Sequence, residues 1–194
     1  MNELWLARHG ETEWTLSRQH TGSTDLPLTP HGEEQARALA GALAGQEFAL
    51  ALSSPAQRAV RTAELAGFGE MLEIDENLRE YDYGEYEGRT TAEIKKERPD
   101  WDLWRDGCPG GEQTAEVAAR ADRVLERVDE ADGPVVAFGH GHMSRVVAAR
   151  FLGLEGEAGR LLMLSTATLS VLGFEHGGAA VSRWNEDCHL RGLK

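Results

Sequence analysis

The chain has 194 residues, 41% of them hydrophobic, and its 20 basic against 33 acidic side chains leave a formal charge of −13. A chain of this length can bury about 70% of its unfolded surface in one core, so a single domain over residues 1–194 is expected, and the acidic balance argues against nucleic acid, whose backbone needs a basic face. Cys108 and Cys188 show no C-x-x-C spacing and no apolar run reaches the length of a membrane span, so free thiols, no membrane contact and a cytoplasmic location are expected.

Leu4-Trp5-Leu6-Ala7 is an apolar run broken by Arg8-His9-Gly10, which reads as a buried strand with its chemistry just past the carboxyl end. A neutral imidazole can attack phosphorus, and an adjacent guanidinium offers two parallel hydrogen bonds to phosphate oxygens. Residues 13–25 show no helical or alternating period and read as a long loop that walls the site. Thr29-Pro30 is an N-cap with proline at the first helical position, and Ala36, Leu39, Ala40 and Leu43 form the inner face of a helix stopped by Gly45. A second apolar strand, 49–52, runs into Ser53-Ser54-Pro55-Ala56-Gln57-Arg58. Ser54 and Gln57 have capping-box spacing with Pro55 at the first helical position, and Ala59, Thr62, Ala63 and Ala66 continue the buried face. In a parallel sheet this places Arg58 on the rim that carries His9.

Residues 76–88 crowd acids, tyrosines and glycines into a segment that suits a lid. A helix from Thr91 to Arg98 ends before Pro99, Trp101 and Trp104 are expected to cover the sheet edge, and 107–111 is a turn. Val117, Ala121, Val124 and Val128 mark a long amphipathic helix closed by Gly133-Pro134. A third strand, Val135 to Phe138, ends in Gly139-His140-Gly141-His142, and the helix after it turns Met143, Val146 and Val147 inward. His140 thus sits at a helix N-terminus, where unpaired N–H groups favour an anion. Residues 169–174 and 179–184 read as a closing hairpin. The expected fold class is α/β: three layers, a mostly parallel central sheet and a lid-like insertion.

Three strands therefore end in His9, Arg58 and His140, and the acidic segment offers Glu80, so a nucleophile, cations and a proton donor for phosphoryl transfer converge. An alternative makes His140 and His142 half of a metal site with Glu11 or Asp25, although no third ligand stands at a metal spacing. Arg-His-Gly-Glu-Thr at 8–12, Ser-Ser-Pro-x-x-Arg at 53–58, Glu80 with Gly84 and Glu87-Gly88, and Gly-His-Gly at 139–141 together resemble the histidine phosphatase superfamily. That resemblance implies a phosphorylated His9, a phosphate pocket of Arg8, Arg58 and His140, a general acid in Glu80, and backbone contacts from Thr21, Gly22 and Gly141. No cofactor and no metal are expected.

Residues 12–30 look like the acid phosphatase and sedoheptulose-bisphosphatase-like subgroup, which implies a small phosphorylated substrate such as a sugar (bis)phosphate. Phosphoglycerate mutases carry Asn where this chain has Thr15, and Glu-Arg-His-Tyr where it has Glu80-Tyr81-Asp82-Tyr83, which counts against mutase chemistry. A cofactor-dependent mutase and a non-catalytic phospho-ligand regulator are the alternative readings. Thr15, Tyr83 and His142, and more weakly Arg183 and Trp184, are the candidates for reading the rest of the substrate. Oligomeric state is open, with a homodimer compatible.

Overall fold

A computed structural model describes residues 2–193. Six strands form one mixed sheet in the order β3-β2-β4-β1-β5-β6, where β1 is Leu4–Arg8, β2 Leu50–Ser53, β3 Leu72–Ile74, β4 Val135–Gly139, β5 Leu169–Glu175 and β6 Gly178–Glu186. The first four run parallel, and β5 is antiparallel to both of its neighbours. The central strands β1 and β4 are apolar on both faces, as a sheet covered by helices on each side requires. One core gathers around α6 (Thr114–Glu130) and α7 (Gly141–Phe151), with Val117, Val124, Met143 and Val147 inward. The other lies under α2 (Pro30–Leu43) and α3 (Gln57–Leu65), around Leu39, Ala63 and Phe138. Among the described residues no helix is long and apolar enough to cross a membrane, and Cys108 and Cys188 are both free.

Several elements depart from the sequence reading. The polar segment after β1 is not all loop: Thr12 caps a short helix α1 (Glu13–Ser17), reciprocally bonded with Thr15, a feature with no apolar period to reveal it. Ser54 and Gln57 do not form a capping box, and Pro55 precedes the helix, because α3 starts at Gln57 with no side-chain cap. Ser54 serves His140 instead, while Gln57 holds Asp25 through its N–H and side-chain amide. The edge strand β3 went unread, being three residues long and half open to solvent.

Trp101 and Trp104 do not cover a sheet edge. Trp101 precedes and Trp104 lies within α5 (Leu103–Asp106), which follows α4 (Thr91–Glu97), and they pack in the core against Tyr86, His20 and His142. Residues 76–88 do lie along the site, but Leu78, Tyr81, Tyr83 and Tyr86 are buried, so this segment is anchored in the core while its polar residues face outward.

Candidate active site

The strands β2, β4 and β1 are adjacent and parallel, with Ser53 opposite Phe138 and Arg8 opposite Gly139. Pairing continues one step beyond the strands: the His9 N–H donates to the Gly139 carbonyl and the Ser54 N–H to the Phe138 carbonyl, both at 3.0 Å. His9, Ser54 and His140 therefore emerge side by side at the carboxyl edge of the sheet. The His9 and His140 rings lie 5.2 Å apart between centroids. From the opening turn of α3, the wholly buried Arg58 reaches the same point.

His9 is 4% exposed, and its Nδ1 lies 2.7 Å from the Gly10 carbonyl. A carbonyl only accepts, so the ring hydrogen belongs on Nδ1 and Nε2 keeps a lone pair. The backbone here is pressed against α2. A Cβ on Gly10 would stand 2.3 Å from the Gly32 carbonyl oxygen, and one on Gly32 would stand 2.2 Å from that of Glu11. Only glycine at both positions lets the strand end dock this closely. Burial, then the positive charges of Arg8 and Arg58, hold the His9 pKa well below the ordinary imidazole value. Burial and then Arg58 lower His140 in the same sense. Both rings are neutral near pH 7.

Three polar atoms around His9 are buried and have no hydrogen-bond partner: Arg8 Nε, Arg58 Nε and His140 Nδ1. The rest of each group is fastened in place. Arg8 Nη1 donates to the Leu164 carbonyl at 2.5 Å. Arg58 donates from Nη1 to the Thr24 carbonyl and from Nη2 to those of Thr21 and Gly22, at 3.0–3.2 Å. Ser54 Oγ sits 2.7 Å from His140 Nε2 and also accepts from the Ala56 N–H. Its own hydrogen can then go to Nε2, which makes His140 Nδ1–H the free donor.

Glu80 lies over the N-terminus of α7. Its Oε1 accepts from the Tyr81 and Met143 N–H groups, both at 2.9 Å, and its Oε2 from the His142 N–H at 3.0 Å. Oε2 thus retains a lone pair on which a proton can be carried. Arg120 braces this segment by donating to the carbonyls of Asn77, Arg79 and Glu80. Glu80, Ser54 and His140 line the inner part of a cleft of ≈ 580 Å³.

The structure brings together His9, Arg8, Arg58, His140 and Glu80. Gly141 opens α7 against the Arg8 guanidinium, so its N–H has no partner within the helix. Of the other candidates Gly22 lines the cleft, and the rest make the contacts that follow. The Thr15 hydroxyl caps α1 through Thr12, and the Thr21 backbone, expected to contact substrate, holds Arg58 Nη2 through its carbonyl. The Gly22 N–H is held by Glu87. Tyr83 Oη and His142 Nδ1 bond one another at 2.7 Å behind the site. Arg183 lies over the Trp5 ring, and the Trp184 indole donates to the Met163 carbonyl, both on the edge strand away from the cleft. The metal alternative is not assembled, since the His140 ring turns to Ser54 and the His142 ring to Tyr83. Among the described residues no cluster of three or more His, Cys, Asp or Glu side chains suits a metal.

Two residues were given no site part by the sequence. Ser54 orients His140, and the Ser54 position beside a strand end was the available signal. Glu87 accepts from the N–H groups of Gly22 and Thr24, fixing the loop whose carbonyls hold Arg58. A Cβ at Gly22 would lie 2.6 Å from the Tyr81 carbonyl, so the loop follows residues 81–87 closely.

Comparison with known proteins agrees with this geometry. An acid phosphatase of Mycobacterium tuberculosis is 42% identical over 91% of this chain and 88% of its own length. A sedoheptulose 1,7-bisphosphatase of Saccharomyces cerevisiae is 36% identical over 77% of this chain and 67% of its own. A solved structure of a Mycobacterium tuberculosis open reading frame product superposes with a TM-score of 0.90 at 37% identity, covering 95% of this chain and 97% of that one. Residues 4–187 match the histidine phosphatase superfamily (branch 1), and the chain belongs to that family.

Proposed function

We propose that this one-domain protein is a phosphomonoesterase acting through a phosphohistidine on His9, on a small phosphorylated metabolite such as a sugar phosphate. The observation that carries the reading is the set of three buried, partnerless atoms on Arg8, Arg58 and His140 around a neutral imidazole. Buried polar groups are rarely left unpaired, and a phosphate would satisfy all three. The guanidinium charges would spread over the oxygens of the transferring group without a metal ion. The name of the sedoheptulose 1,7-bisphosphatase relative supports a sugar (bis)phosphate as substrate. The free thiols fit a cytoplasmic protein.

In the first step His9 Nε2 attacks phosphorus in line, the bond to the ester oxygen breaks, and the departing alcohol takes a proton from Glu80 Oε2. In the second, a water attacks the phosphohistidine and gives its proton to Glu80, releasing phosphate and restoring the neutral ring. The test is phosphate release across p-nitrophenyl phosphate, sugar phosphates and phosphoglycerates, with a chelator present. Wild type should release phosphate and show a phosphoryl adduct by intact mass at alkaline pH. His9→Ala should lose at least about 10⁴-fold in rate. Full activity in that variant would end the scheme. Interconversion of phosphoglycerates dependent on a bisphosphate primer would favour the mutase, and tight binding without release the regulator.

A further inference from the structure

Besides Ser54, Glu80 and His140 the cleft is lined by Asp25, Glu76, Arg79, Asp82, Glu112 and Arg120, all less buried than Ser54 and His140 and forming its outer part. Four carboxylates thus face two guanidinium groups, and both guanidinium groups are committed. Arg79 Nη2 pairs with Glu76 Oε2 at 2.5 Å. Arg120 holds Glu112 through Nε and Nη2, each at 2.7 Å, and turns Nη1 to the Asn77 and Arg79 carbonyls at 2.7 and 2.8 Å. Asp25 and Asp82 instead accept from backbone, the Gln57 and Gly84 N–H groups, both at 2.9 Å. At the inner end the pattern is reversed: Arg58 Nε and His140 Nδ1, both fully buried, offer hydrogen-bonding capacity without a partner.

The cleft is therefore polarised, with one place for a phosphate and a negative surround for whatever follows it. A second phosphate one sugar's length away would meet Asp25 and Asp82, with Arg120 held by Glu112 and Arg79 paired to Glu76 at the exposed margin. Resting on the phosphatase reading, we infer that the outer half selects phosphomonoesters whose alcohol carries no second anionic group and turns sugar bisphosphates away. Asp25 and Asp82 are the specificity-determining residues. Both are exposed, so the discrimination is a several-fold effect that salt screens. It would separate this chain from the 36%-identical sedoheptulose 1,7-bisphosphatase.

The test compares initial rates of phosphate release from fructose 1-phosphate, fructose 6-phosphate and fructose 1,6-bisphosphate at low ionic strength. The expected kcat/KM for the bisphosphate is at least about fivefold below that for the better monophosphate, and the gap should close in high salt. The double variant Asp25→Asn, Asp82→Asn should raise the bisphosphate value several-fold more than either monophosphate value, because Asp25 also faces Arg58 and its charge is felt by every substrate. Asparagine keeps an oxygen for each backbone bond, so the rim geometry is preserved. Wild type preferring the bisphosphate would overturn the inference. So would Arg79→Ala losing activity on the bisphosphate alone, since Arg79 would then be leaving Glu76 to hold the distal phosphate. Inertness toward all three sugars and p-nitrophenyl phosphate would instead overturn the phosphatase reading, and the inference with it.

Discussion

The two ends of the cleft are built on different principles. At the inner end, His9, Ser54, Arg58 and His140 are mounted on strand ends or at the start of a helix and are almost fully buried, with backbone carbonyls setting the guanidinium groups of Arg8 and Arg58. At the outer end Asp25, Glu76, Arg79 and Asp82 are exposed, Arg120 reaches Glu112 from α6, and the charges pair with one another or with backbone N–H groups. Burial makes each inner group expensive to disturb, whereas exposed charges are individually weak. The fold thus determines that a phosphate binds, and the surface determines which one.

The largest effect is expected for Arg58→Ala, which removes a cation from the phosphate and frees three carbonyls of residues 21–24 at once. Its kcat/KM on p-nitrophenyl phosphate should fall by about 10²–10³, with inhibition by inorganic phosphate weakened in parallel. A loss as small as that of a rim variant would erase the distinction between the ends.

Acid should act next, and selectively on the buried histidines. Burial lowers His9, His140 and His142 well below the ordinary value, and lowers His20 to about 4 against an opposing Glu87. The unfolded chain takes up protons from about pH 6.5 downward, while the folded one does not. Stability is therefore full above pH 6.5 and declines as pH falls toward the folded values, for His20 between 6.5 and about 4. The slope is at most about 1.4 kcal/mol per pH unit for each histidine kept neutral. Denaturant unfolding at pH 7 and pH 5 measures this, and equal stability at both would contradict it. For activity the same shift has the opposite value: His9 remains an unprotonated nucleophile below pH 6.5, so the acid limb attributable to it lies well under that pH. The smallest effect is expected for Ser54→Ala, which removes one hydrogen bond from a ring still confined by packing. A fall of about two- to tenfold in kcat/KM, without change in fold, would match the loss of that single contact.

Much of the inner end was legible because it follows a rule with few exceptions. Apolar runs at 4–7, 49–52 and 135–138 each stop at a polar or glycine-rich turn, and parallel pairing then brings those stops together. What could not be read depended on long-range contacts. Glu87 meets Gly22 across 65 positions, and nothing local in either residue announces it. Ser54 carried a genuine local signal, the spacing to Gln57, but His140 and Asp25 outcompeted the cap. β3 escaped because it pairs on one side only, and α1 because a reciprocal Thr12–Thr15 bond rather than a hydrophobic stripe holds it.

The bond between His9 Nδ1 and the Gly10 carbonyl has an analytical consequence. It leaves one ring nitrogen able to receive phosphorus, so the covalent intermediate would be a single regioisomer, the tele form, phosphorylated on the nitrogen remote from the backbone. Reagents specific for that isomer would detect the trapped enzyme, and those raised against the pros form would remain blind to it.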